Sequence, residues 1–177
     1  MNDKKNVFAD TFKPIIVLVI ICLVSSGLLG ITNAVTAPII KENELAAALK
    51  DRQDLLPDAT GFTEILYEAD HRVRSIHVDD GGSGYIILVE AGGYGGTVTT
   101  TVAITSDGSV LRIRVNADTE TKGLGSKVAL SSFTDSFIGY RLNDPGISII
   151  SGATYSSKAV IDSVVLALDV FEQIKGA

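Results

Sequence analysis

Near the C-terminus the run SGATYSS, Ser151 to Ser157, crowds small and hydroxyl-bearing residues between an apolar stretch and an amphipathic one. Gly152 and Ala153 leave backbone exposed on the approach to a helix N-terminus, where unpaired N–H groups and the helix dipole favour a phosphate. Thr154 then supplies a hydroxyl beside the phosphorus, able to donate a hydrogen bond, coordinate a metal or be esterified. The residue types alone do not choose among the three. Ser156 or Ser157 also suits the cap of that helix's first turn, and a capped helix still holds an anion. The loop lacks the lysine of a P-loop, which argues against a nucleoside triphosphate.

A second candidate is TETKGLGSK, Thr119 to Lys127. It reads either as a flexible turn before a helix or as a ligand loop. In the second case the glycines flanking Leu124 let an apolar side chain lie flat against a planar ring while backbone N–H groups approach its edge, which suits an aromatic system better than a sugar. AGGYGG, Ala91 to Gly96, reads as a hairpin turn. GGSG has no GxSxG register, so a serine hydrolase finds no support. His71 and His77 are the only histidines and are expected on the surface of a strand; Cys22 is the only cysteine and lies in an apolar run. With no CxxC and no HxxxH, a structural zinc, haem or iron–sulfur site has no protein support, and electron handling would require an organic cofactor. A formal charge of −6 argues against a nucleic-acid partner.

The elements that must position these residues are legible in outline. At 177 residues the chain has room for one ordinary domain and an appendage. Residues 1–14 read as a basic cytoplasmic tail with Lys4, Lys5 and Lys13, and residues 15–35, IIVLVIICLVSSGLLGITNAV, as a transmembrane helix. A cleaved signal peptide is the competing reading, and a lipoprotein at Cys22 is disfavoured by Ile20 and Ile21. Basic residues tie across the span, three before it and Lys41, Lys50 and Arg52 after, so orientation leans only weakly to a cytoplasmic N-terminus. Residues 36–57 read as a connector helix with Leu45, Leu49, Gln53 and Leu56 on one side. From Phe62 to Asn116 the period changes to two: FTEILYE, RVRSIHV, GYIILVE, TVTTTVAIT and SVLRIRVN predict a small, mostly antiparallel sheet. A short helix is expected over residues 128–138, a final strand before SGAT, and then an amphipathic helix with Val160, Val164, Leu168 and Phe171 facing the core. The fold class is α+β: a transmembrane helix followed by one domain, residues 58–177.

In this order and spacing, the N-terminal span, GGYGG, DGSVLRIRV, ETKGLGSK and SGATYSS resemble the RnfG family, a component of the Rnf electron-transport complex, and more distantly the NqrC component of the sodium-pumping quinone reductase. The resemblance covers nearly the whole chain. It implies an FMN-binding domain on the outer side of the membrane, with FMN joined through its phosphate to Thr154 by a separate flavin transferase. It implies that Ser151, Gly152 and Ala153 shape the phosphate pocket and that Glu120, Thr121, Gly123, Leu124, Gly125 and Ser126 lie along the flavin. It further implies a single-pass inner-membrane protein, partnered by the other Rnf subunits, that relays electrons within a ferredoxin:NAD+ oxidoreductase coupled to Na+ or H+ transport. It implies no metal and no substrate-reducing site in this chain. Two positions depart from the family pattern: Ser148 stands where an aspartate precedes the modified threonine by six residues, and Lys122 stands where proline is common. Two other readings use the same residues, a membrane-anchored sensory module for a flavin or other phosphorylated ligand, and a free-standing extracellular flavoprotein.

Overall fold

In the computed structural model the backbone is described for residues 3–175, and the side chains for residues 13–40 and 47–175. The side chains of Lys4, Lys5, Lys41 and Leu45 lie outside the described residues. The chain forms two units, residues 1–49 and 50–177. The first unit is almost entirely helix α1, Asp3–Leu55, whose last turns belong to the second. It runs unbroken through the expected boundary between residues 35 and 36 and includes Pro14 and Pro38. Its stretch Lys13–Ile40, with mean hydropathy 2.8, is long and apolar enough to cross a membrane. Hydroxyls in this stretch bond back to the helix, Thr32 Oγ1 to the Leu28 carbonyl at 2.9 Å and Ser26 Oγ to that of Leu23 at 3.2 Å, so neither needs water.

The second unit is built on a five-stranded antiparallel meander in the order β1 (Phe62–Ile65), β2 (Val73–Asp79), β3 (Gly84–Gly92), β4 (Thr97–Thr105), β5 (Val110–Asn116). The period-two runs predict all five, although β1 stops three residues short of FTEILYE. Alternation gives the sheet two different faces. One carries Ile76, Ile87, Val89, Val98, Val102, Ile104 and Ile113 and is covered by the final helix α3, Thr154–Ile174. Val160, Val164, Leu168 and Phe171 are buried there as their spacing requires, and Phe171 meets Tyr85 edge-on with ring centroids 5.2 Å apart. The opposite face packs Ile86 and Ala103 against Leu55 and Leu56. Among the described residues of the expected connector stripe, Leu56 is buried while Leu49 and Gln53 are exposed, and Leu55 takes the second inward place.

Three other expectations fail for identifiable reasons. The helix expected over residues 128–138 is three pieces: a 3-10 turn at Gly125–Ala129, a four-residue helix α2 at Ser131–Thr134 and a 3-10 turn at Asp135–Phe137. Leu130 is extended between the first two, and the serines, Thr134 and Asp135 of SSFTDS compete for backbone bonds that a longer helix would need. Buried Val128, Phe133 and Phe137 pin the segment instead. The final strand before SGAT does not form. The β5 edge is engaged at Val110 by Gly139 N–H and the Tyr140 carbonyl, Pro145 has no N–H to give, and Ile150 N–H donates to Ser157 Oγ at 3.0 Å. His77 is buried in β2, while exposed His71 precedes that strand.

Candidate functional site

Helix α3 begins at Thr154, one residue after its N-cap Ala153, which has no side-chain cap. Gly152 reverses the chain into it with φ +79°. Ser156 and Ser157 therefore sit inside the first turn rather than ahead of it, and neither caps. The Ser157 hydroxyl takes the Ile150 N–H, and the buried Ser156 hydroxyl donates to Glu120 Oε2 at 2.7 Å. Ala153 N–H and Ser157 N–H bond to Ile150 and Ala153 carbonyls, whereas the N–H groups of Thr154, Tyr155 and Ser156 have no acceptor among the described residues. Three unpaired donors at the positive end of a 21-residue helix form a ready anion seat. The Thr154 side chain is exposed beside them.

The glycine loop packs against this turn. Leu124 N–H and Ser126 N–H both donate to the Thr121 carbonyl, at 3.1 and 3.2 Å, and Gly123 N–H donates to Ser126 Oγ at 2.9 Å. The β3–β4 hairpin closes the third side, with Gly93 N–H on the Gly96 carbonyl at 2.7 Å. AGGYGG is thus the hairpin turn its composition implies, but Tyr94 at its tip also faces the candidate site.

Together these segments enclose a cavity of about 650 Å³, within the range of ligand pockets. Of the residues singled out from the sequence, Glu120, Thr121, Leu124, Gly125, Gly152, Ala153 and Thr154 line it. Ser151 and Gly123 do not, and Ser126 lines a separate cavity of about 510 Å³ with Arg114 and Asp118. Tyr94 and Tyr155 line the first cavity and were missed. Tyr94 is 75% and Tyr155 70% exposed, and their ring centroids are 6.3 Å apart with planes inclined by 42°. Two tyrosines left in solvent at a cavity mouth, together with half-exposed Leu124, form a surface for a flat apolar ring. The available signal was the position of each tyrosine, one flanked by glycine pairs and the other next to Thr154.

The strongly perturbed ionisable groups of the domain lie away from this cavity. Ser83 Oγ–H at 2.6 Å, then Ser83 N–H, hold the Asp79 carboxyl well below the usual carboxylate range. Burial, aided by nearby Arg52, pulls the His77 imidazole down and keeps it neutral. Both serve the sheet and its turns.

Residues 93–169, which contain Tyr94, Glu120, the glycine loop and the start of α3, match the FMN-binding domain family. Over nearly its whole length the chain is similar to the RnfG subunits of ion-translocating oxidoreductase complexes. It is 26% identical to the RnfG protein of the proton-translocating ferredoxin:NAD(+) oxidoreductase complex of Clostridium ljungdahlii, covering 95% of this chain and 93% of that one. It is 27% identical to the RnfG protein of the Na(+)-translocating complex of Acetobacterium woodii, covering 98% and 99%. The NqrC protein of the Na(+)-translocating NADH-quinone reductase of Parabacteroides distasonis is 22% identical, with a TM-score of 0.47 over 59% of this chain and 62% of that one. The match to the FMN-binding family begins at Gly93, so β1 to β3 lie before the matched region while every residue lining the cavity lies within it.

Proposed function

We propose that the chain is the flavin-carrying RnfG component of a membrane-bound, ion-translocating ferredoxin:NAD+ oxidoreductase, and that FMN is esterified through its phosphate to Thr154. The observation that carries this reading is the exposed Thr154 hydroxyl beside the three unpaired N–H groups of α3, at one end of a cavity walled by Leu124, Tyr94 and Tyr155. The residues fit the group: the helix end receives a phosphate, and the apolar and aromatic wall receives a ring. Gly152 and Ala153 keep side chains clear of the phosphate, Ser151 shapes the approach to them, and Thr121, Leu124 and Gly125 border the ring. Gly123 and Ser126 act on that border indirectly, through the hydrogen bond that closes the loop.

FMN exchanges one or two electrons when bound, and this chain's part is to hold and orient it. Within an oxidoreductase complex the chain relays electrons and carries no substrate-reducing site of its own. Helix α1 anchors it, with the N-terminus in the cytoplasm and the FMN-binding domain on the outer side, where a covalent tether prevents loss of the cofactor. A flavin transferase completes it, and the other subunits of the complex surround it. To test this, the full chain is co-expressed with a flavin transferase, extracted in detergent and run on a denaturing gel. A fluorescent band at the mass of the chain, and visible absorbance that bleaches with dithionite before denaturation, are expected. A chain that binds no flavin under either condition would overturn the reading and leave a phospholigand sensor as the alternative.

A further inference from the structure

Glu120 is a carboxylate in an unusual place. It is 4% exposed, and among the described residues no basic side chain pairs with it. Its oxygens are taken instead by two donors distant in sequence. Oε1 accepts from Gly95 N–H at 3.0 Å, and Oε2 accepts from the Ser156 hydroxyl at 2.7 Å. The glycines around it are required by this carboxylate: a Cβ at Gly93 would stand 2.1 Å from Oε1, and one at Gly125 2.4 Å from Oε2. The hairpin that carries Tyr94, the loop that carries Leu124 and the turn that carries Thr154 and Tyr155 therefore meet at one side chain.

We infer that Glu120 is a positioning residue, which fixes the separation of Tyr94, Leu124 and Thr154 and so holds the cavity at the width of the flavin ring. This rests on the reading that FMN occupies the cavity. The chemistry of the donors explains the choice of residue. Gly95 N–H only donates, so the partner must present an oxygen, and that oxygen must stay in place while a second atom reaches Ser156. Glutamine meets both needs, because its oxygen can serve Gly95 and its amide can donate to the Ser156 hydroxyl, which accepts as readily as it donates. Alanine meets neither.

The test uses the full chain in detergent, wild type against Glu120→Gln, Glu120→Ala and Ser156→Ala, reading amide hydrogen exchange over residues 93–96 and the visible spectrum of bound FMN. Glu120→Ala is expected to speed exchange in the hairpin by about tenfold or more and to shift the flavin band, while Glu120→Gln stays at wild type in both. Ser156→Ala should lie between. Wild-type exchange and spectrum in Glu120→Ala would overturn the inference. So would a Glu120→Gln spectrum displaced as far as that of Glu120→Ala, which would make the charge, not the geometry, what the ring feels. If Glu120→Ala does not fold, the other two decide: faster exchange in Ser156→Ala with Glu120→Gln unchanged supports the role, and unchanged exchange in Ser156→Ala overturns it. Exchange is read without flavin as well, so a wild type that binds no FMN removes the proposed function without obscuring whether Glu120 ties the three segments together.

Discussion

Replacing Gly125 with alanine should destabilise the domain out of proportion to a single methyl group. The added Cβ would stand 2.4 Å from Glu120 Oε2, 2.9 Å from Ser156 Oγ and 3.1 Å from Glu120 Cβ. Neither neighbour can step aside cheaply, because Glu120 and Ser156 are buried and bonded to each other at 2.7 Å, and the other carboxylate oxygen is held by Gly95 N–H. Overpacking of a buried site costs about 1–3 kcal/mol. Loss of the Glu120–Ser156 hydrogen bond adds about 1 kcal/mol or more, for a total of about 2–4 kcal/mol. For a domain of this size roughly 4 °C of midpoint accompanies each kcal/mol, so a fall of about 8–16 °C is expected. The assay is thermal unfolding of the full chain in detergent, followed by tyrosine fluorescence. Gly146→Ala is the matched control, since a Cβ there meets nothing within 4 Å and the change should stay within about 0.5 kcal/mol. A Gly125→Ala midpoint equal to that of Gly146→Ala would refute the argument that the carboxylate, and not a ligand, demands the glycine.

Three further outcomes are expected. Phe171→Ala removes a ring that is 1% exposed between the sheet and α3 and should cost about 3–5 kcal/mol in denaturant titrations. His77 is held neutral by burial and by Arg52, so the unfolded chain binds the proton first; stability present above the ordinary histidine range should be lost as pH falls through about 6.5. His77→Gln should flatten that segment of the stability profile. The loss tied to Asp79, whose folded pKa is depressed by Ser83, should persist and set in only as pH falls through the ordinary carboxylate range, near about 4. Leu124→Ala removes a cavity-lining side chain that is 42% exposed and should shift the visible band of bound FMN; an identical spectrum would remove Leu124 from the ring contacts.

What could be read in advance follows the range of the interactions involved. Alternation in TVTTTVAIT or SVLRIRVN is a local property that sheet formation only has to ratify, and the three- and four-residue spacing from Val160 to Phe171 likewise dictates which face of α3 turns inward. SGATYSS and ETKGLGSK drew notice through composition, and seven of the ten residues chosen there line one cavity. The misreadings share a different cause. Ser156 looks like a cap because its preference is local, but its partner Glu120 lies 36 positions away. Glu120 lines the cavity, but its bond to Gly95, 25 positions back, could not be read from its neighbours. Gly125 lines the cavity and also leaves room for the Glu120 carboxylate, a demand its local sequence does not show. Tyr94 was absorbed into a turn that its neighbours explain, and its exposure beside Tyr155 emerges only when β3–β4 and α3 are brought together. Residues 145–150 have strand composition but no free edge at Val110 to join.

The ester at Thr154 is the central claim, and peptide mass spectrometry tests it most directly. The full chain is co-expressed with a flavin transferase that modifies a known acceptor, digested, and the peptide containing Thr154 is weighed in wild type, Thr154→Ala and Ser148→Asp. The expected result is the mass of FMN less one water on that peptide in wild type, its absence in Thr154→Ala, and equal or greater occupancy in Ser148→Asp. Unmodified Thr154 in both wild type and Ser148→Asp, or the flavin mass on a different residue, would contradict it.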